Sequence, residues 1–138
     1  RMAEQIKIKI GSAYPLETET SLTIQGRDLM SGLPKEEKVT SYEIRDVLVG
    51  PVSSIAETVR LTLEQTPPEL AADILEKGIL ITGGGALLKG IDKRIESETD
   101  LKVKLAKDPL SCVAIGTGKA LENESLFERI NSSIITKT

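Results

Sequence analysis

No histidine and no tryptophan occur among the 138 residues, and cysteine occurs once, at Cys112. Each absence removes a class of chemistry. Without an imidazole there is no Ser-His-Asp triad, no Cys-His dyad and no histidine-ligated metal centre. A lone cysteine makes no internal disulfide and no multi-cysteine zinc or iron–sulfur site, and an unpaired thiol fits a reducing compartment. Only Tyr14, Tyr42 and Phe127 are aromatic, so the core has to be built from Ile, Leu, Val and Ala. Eighteen basic residues against 21 acidic ones give a net charge of −3, without the basic face a nucleic acid would require, and no nucleic-acid partner is expected. Apolar runs last only a few residues, far short of the roughly 20 that cross a bilayer. The opening Arg1-Met2-Ala3-Glu4-Gln5-Ile6-Lys7 has no hydrophobic signal region. The expectation is a soluble, cytoplasmic chain that starts inside a periodic segment, as though cut from a longer polypeptide.

What is present suits one globular domain or a piece of a larger one: 39% apolar and 28% charged residues, enough to bury a core. The first ten residues fit two patterns. Ile6, Ile8 and Ile10 alternate with Lys7 and Lys9 as in a strand, while Ala3, Ile6 and Ile10 recur at helical spacing. Residues 11–40 read as β-rich, with a strand at Ser21–Ile24, turns at Gly26-Arg27-Asp28 and Ser31-Gly32-Leu33-Pro34, and a charged strand ending at Val39-Thr40. Thr40-Ser41-Tyr42-Glu43 has capping-box spacing, and a helix follows that Gly50-Pro51 is expected to kink or break. Thr66 caps a second helix with Pro67 at its first position, and Gly78 ends it.

The uncharged Ile79-Leu80-Ile81-Thr82 reads as a buried strand, and Gly83-Gly84-Gly85 as a tight turn into a helix reaching about Ser97, with Ile91 and Ile95 inward. Leu101–Leu105 is a half-exposed strand. Asp108-Pro109 opens a helix whose Leu110, Val113 and Ala114 face the core, with Cys112 a small core residue. A polar tail with a short helix around Leu126, Phe127 and Ile130 completes the chain.

The strand–glycine–helix unit is the best candidate site. Glycines let a ligand approach the backbone, and the first N–H groups of the following helix lack internal partners, so they can donate to an anion such as phosphate. Neither familiar phosphate loop matches. Leu88 stands where the dinucleotide fingerprint has its third glycine or alanine, and Gly85–Gly90 is followed by Ile91-Asp92 in place of Lys-Ser/Thr. On local pattern a plain strand-to-helix turn fits equally well. If residues 2–10 are helical, Glu4 and Lys7 point their charged groups at the same volume, as a clamp on sugar hydroxyls or as an ordinary surface ion pair. No catalytic centre is visible.

At Ile81-Thr-Gly-Gly-Gly-Ala-Leu-Leu-Lys-Gly-Ile91 the sequence closely resembles the MreB-type bacterial actins (the MreB, Mbl and MreBH group). The likeness extends to residues 3–11, Gly26–Pro34, Thr66–Leu70 and Asp108–Gly118, five blocks in order over nearly the whole chain. The resemblance implies an α/β, actin-like (ribonuclease H-like) ATPase fold, present in part: the carboxy-terminal half of domain II. Residues 1–11 and 51–138 correspond to part of its large nucleotide-facing subdomain, and 12–50 to a small β-rich inserted one. It implies a parent that binds ATP or ADP with magnesium and polymerises into membrane-associated filaments guiding cell-wall synthesis. The partners implied are other copies of itself, the membrane-associated cell-wall elongation machinery and the inner membrane, the last through parts absent from this chain. The glycine turn that faces adenosine and phosphate in the family falls on Gly83, Gly84 and Gly85. The Glu-x-x-Lys pair that contacts ribose and adenine falls on Glu4 and Lys7, which favours helix for residues 2–10. The family's two phosphate loops, its acidic residues at the hydrolytic water and its membrane-inserting segments have no counterpart here. The chain alone is therefore expected not to hydrolyse ATP, and its strands are expected to leave an open sheet edge. Two other readings remain at this stage: a phosphotransferase of the actin and sugar-kinase superfamily, or a non-catalytic interaction module.

Overall fold

The computed structural model describes residues 1–123, 125, 127–129 and 132. Helix α1 spans Met2–Ile10, so the helical periodicity prevails over the alternating one. Burial explains the outcome. Ile10 is buried and Ile6 half-buried on one face, while Ile8 points to solvent at 67% exposure, as a strand's alternation would not have placed it. Gly11 closes α1 by donating to the Lys7 carbonyl at 2.8 Å, so close that a Cβ at Gly11 would collide with that carbonyl.

Strands β1 (Ser21–Arg27) and β2 (Pro34–Thr40) form an antiparallel hairpin paired along all seven positions, from Ser21↔Thr40 to Arg27↔Pro34. β1 runs through Gly26-Arg27, where a turn was expected, and the reversal is confined to 28–33. Asp28 makes that shift possible. Its Oδ1 accepts from Met30 N (2.7 Å) and Ser31 N (3.0 Å), the side-chain-to-backbone bonding that lets Asp initiate a turn.

The stem of the hairpin leads straight into α2 (Ser41–Glu64), where the capping box is present in full: Thr40 Oγ1 accepts from Glu43 N, and the Glu43 carboxylate accepts from Thr40 N at 2.8 Å. The break expected at Gly50-Pro51 does not occur, and α2 continues through Pro51. Gly50 lacks the Cβ against which a proline ring ordinarily clashes, and Val52 and Ala56, at 4% and 2% exposure, hold the following turn against the core. Arg45, in the first turns of α2, donates to Ser12 Oγ (3.1 Å) and to Glu19 Oε1 (2.6 Å). Ser41 Oγ donates to the other Glu19 oxygen and accepts from Thr20 N at 2.8 Å. This network fixes the 11–20 segment across the start of α2 and satisfies two serines that are wholly buried.

Helix α3 (Pro68–Lys77) starts one residue later than its sequence suggested, with Pro67 as the cap and Pro68 first in the helix. Strands β3 (Ile79–Ile81) and β4 (Val103–Leu105) pair in parallel, Ile79 opposite Val103, and have no further neighbours among the described residues. The buried strand expected at 79–82 is accordingly only half covered, and Leu80 is 68% exposed. A parallel pair normally lies inside a larger sheet covered on both faces, so the open edge expected from the missing strands is present.

The single helix expected from the glycines to Ser97 is divided. Gly84–Leu87 form a short 3-10 turn, the chain bends at Leu88–Gly90, and α4 runs from Ile91 to Thr99. Gly90 causes the division: its φ of +72° is left-handed, and a Cβ there would stand 2.8 Å from Tyr14 Cβ. Ile91 and Ile95 turn inward as expected and join Ala13, Val52 and Val103 in the core, flanked by Leu48, Val59, Ile79, Ile81 and Leu88. Helix α5 begins at Cys112 and ends at Glu122, three residues later than Pro109 implied. Its expected inward face is left largely uncovered among the described residues. Leu110 and Val113 are 68% and 70% exposed, Ala114 is also exposed and Cys112 is half-buried. Leu126 and Ile130 of the expected terminal helix lie outside the described residues.

Candidate functional site

Two segments far apart in sequence, α1 and the turn after β3, meet through Lys89. The Lys89 carbonyl accepts from Ala13 N at 2.7 Å, Ser12 and Lys89 form a parallel bridge, and Lys89 Nζ donates to the Lys9 carbonyl at 3.0 Å. The end of α1 is thereby held alongside the segment that follows the glycine turn. On α1, Glu4 and Lys7 are both exposed, one turn apart on the same side. They do not pair with each other, and among the described residues neither side chain has a hydrogen-bond or ion-pair partner. The surface ion pair that their spacing also allowed is not formed, and both charged groups face solvent.

The glycine turn is anchored at its base and open at its top. Gly83 N donates to the Pro109 carbonyl at 2.9 Å, and Thr82 Oγ1 donates to the same oxygen at 2.9 Å. Gly83 has φ +85°, a conformation that favours glycine. Ala86 N and Leu88 N turn back onto the carbonyls of Gly83 and Gly85. Gly84 and Gly85 are exposed, nothing stands within 4 Å of a Cβ built on Gly85, and only Leu110 Cδ2 comes near Gly84, at 3.6 Å. Their N–H groups open the 3-10 turn and have no main-chain acceptor among the described residues. The turn thus offers an open strip of backbone donors, and α1 offers an exposed carboxylate and an exposed ammonium. That donor set suits a ligand with hydroxyls and an anionic tail.

Pro109 and Leu110 are positions that sequence reasoning misplaced. It put Leu110 on a buried helix face, whereas the 108–111 turn brings the Pro109 carbonyl and the Leu110 side chain to the glycines. The Asp108-Pro109 pair signalled a turn; nothing in it signalled the partner. A cleft of about 610 Å³ is lined by Lys89 itself and, among others, Tyr14, Thr20, Asp92 and Lys93. It does not include Gly83, Gly84 or Gly85, so the candidate site is an open face rather than an enclosed pocket. Among the described residues, no group of three or more His, Cys, Asp or Glu side chains is placed to hold a metal ion.

The family model for the MreB/Mbl protein matches residues 1–129. The chain belongs to the MreB/Mbl family. Among its relatives, the cell shape-determining protein Mbl of Bacillus subtilis is 46% identical over 123 residues, covering 89% of this chain and 37% of that protein. The cell shape-determining protein MreB of Escherichia coli K12 is 48% identical over 120 residues, covering 87% of this chain and 35% of that protein. Two crystal structures of MreB5 of Spiroplasma citri, one bound to ADP and one to AMPPNP, match with TM-scores of 0.81 and 0.79. Both are 44% identical to this chain; they cover 93% and 94% of it, and 38% of their own length is matched. The fold is thus α/β and actin-like, in part: the chain spans little more than a third of the length of these MreB/Mbl proteins. No helix among the described residues is long and apolar enough to cross a membrane.

Proposed function

We propose that this chain is the adenosine-facing part of a longer MreB/Mbl protein, the parent, which binds ATP, polymerises into membrane-associated filaments and guides cell-wall synthesis in setting cell shape. The observation that carries the reading is the meeting of α1 with the open glycine turn through Lys89, in a family whose solved members include ADP- and AMPPNP-bound ones. Residues 1–11 and 51–138 form the nucleotide-facing subdomain in this reading, and 12–50 the inserted one.

The nucleotide supplies ribose hydroxyls and a polyphosphate; this chain's residues supply the groups that orient them. The Glu4 carboxylate accepts from ribose hydroxyls, the Lys7 ammonium donates to the adenosine, and the N–H groups of the Gly83–Gly85 turn donate to phosphate oxygens. Magnesium and the water-activating carboxylates belong to the remainder of the parent, so this chain alone binds at one wall and does not hydrolyse ATP. The test is calorimetric titration of ATP into the parent with Gly85→Val, which puts a branched side chain into the space a nucleotide would occupy. Affinity at least tenfold weaker with an unchanged melting temperature supports the reading; unchanged affinity removes the glycine turn from the site.

A further inference from the structure

Between α2 and α4 lies a small cavity of about 30 Å³, lined among others by Ala13, Leu48, Val52, Ser53, Arg45 and Arg94. Arg45, Leu48 and Val52 lie three, then four residues apart and so share one face of α2, while Arg94 comes from α4. Both arginines are held in place. Arg45 donates to Ser12 and Glu19 and is only 14% exposed, and Arg94 Nη2 pairs with Glu98 Oε1 at 2.7 Å. Arg94 Nη2 also reaches Ser53 Oγ at 3.5 Å, the outer limit of a hydrogen bond. Arg94 Nε is buried and has no hydrogen-bond partner among the described residues, which is costly for a charged donor group.

Donor and acceptor accounting selects the occupant. A guanidinium carries five N–H donors and no acceptor, and the only side-chain acceptor in the cavity wall is Ser53 Oγ. Glu19 and Glu98 bind the arginines from outside, and no carboxylate lines the cavity. The volume admits about two water molecules or one monatomic anion; a tetrahedral oxyanion with its four oxygens is too large. Water brings two donors of its own, and walls made of arginine and of Ala13, Leu48 and Val52 give those donors almost nothing to bond. A halide accepts from every side and donates nothing. Because guanidinium is weakly hydrated, it gives up its water to such an ion readily. The two outer carboxylates offset the formal charges of the arginines, so the affinity is modest, in the millimolar range.

We propose that this cavity is a binding site for a small monovalent anion of the chloride class, held between Arg45 and Arg94. The ion ties α2 to α4 and, through the Arg45 bond to Ser12, to the segment that follows α1. The inference stands apart from the nucleotide and filament readings. Its test is the melting temperature of the parent over a chloride series in which gluconate, too large for the cavity, keeps the ionic strength constant. The expected result is a saturable rise of about 2–4 °C once chloride reaches some ten times its dissociation constant. Bromide does the same, and crystals of the parent grown in bromide show an anomalous peak between the two guanidiniums. Arg94→Gln removes a ligand, and Ala13→Val puts methyl groups into the cavity; each abolishes the rise and the peak, and a melt in gluconate shows that the variant is folded. If one variant fails to fold, the other decides. A melting temperature indifferent to chloride, a rise that either folded variant retains, or a water in the cavity that bromide does not displace overturns the site. Bromide found only on the exterior, an adventitious ion only, overturns it as well.

Discussion

Lys89 Nζ lies 3.0 Å from the Lys9 carbonyl oxygen, joining residues 80 positions apart. With the Ala13 N to Lys89 carbonyl bond at 2.7 Å, this makes one residue the staple between the end of α1 and the chain leaving the glycine turn. The proposed nucleotide groups sit on either side of it, Glu4 and Lys7 before and Gly83–Gly85 after.

Lys89→Met in the parent keeps the main-chain bridge and removes the ammonium. Because the side chain is exposed, the loss is small: ATP affinity falls by about threefold and the melting temperature moves little. Titration calorimetry and a thermal melt check both halves of that statement. An unchanged affinity shows that the main-chain bonds alone set the position of α1.

Gly90→Ala acts on the fold. The added Cβ meets Tyr14 Cβ at 2.8 Å at a left-handed φ, so stability falls by about 1–3 kcal/mol in urea unfolding. Gly26→Ala, where nothing stands within 4 Å, is the control and costs less.

Ile95→Ala removes the most enclosed large side chain of the core, at 2% exposure. The expected loss is about 2–5 kcal/mol, read from denaturant midpoints. Leu80→Ala on the open sheet face gives a much smaller loss if the parent leaves that face uncovered, and a comparable one if the rest of the sheet packs there.

Four carboxyls are held below their ordinary range, and for Glu57 the main cause is the hydrogen bond from the Arg60 guanidinium. For Glu19 the main cause is the Arg45 guanidinium, followed by Ser41; for Asp28 it is the Ser31 and Met30 N–H groups; for Glu43 it is the Thr40 hydroxyl and N–H. A depressed folded value means that the stabilisation is complete above the unfolded value of about 4 and is lost as pH falls through the lower folded one. Melting temperature should therefore be level near neutrality and decline on acidification below about pH 4. The combination Glu19→Gln, Asp28→Asn and Glu43→Gln should flatten that decline, and an unaltered slope would show that other carboxyls carry it.

Local signals marked most of the elements. The Thr40–Glu43 capping box, the inward spacing of Ile91 and Ile95 and the punctuation by Gly78 each depend on neighbours within one or two turns, so they were legible in the sequence. Departures came from distant contacts. Pro51 stays helical because Val52 and Ala56 pack on the core, and the helix after the glycines divides because Gly90 meets Tyr14, 76 positions away. Leu110 and Val113 are apolar at helical spacing, but spacing does not show whether a chain contains the surface that covers them. Local pattern singled out the glycine turn as a candidate but left it open between an anion site and a plain turn, and family likeness gave it a ligand. Glu4 and Lys7 alone read equally as an ion pair, and no local pattern signals the Lys89 staple that joins them to the glycines.

The most direct test of the nucleotide-facing account is ATP affinity in the intact parent carrying Glu4→Ala, measured by calorimetric titration with the melting temperature as a folding control. Loss of a charge-assisted hydrogen bond to ribose predicts affinity weakened by about tenfold with the fold unchanged. Wild-type affinity in a folded Glu4→Ala protein would contradict it and take α1 out of the nucleotide site.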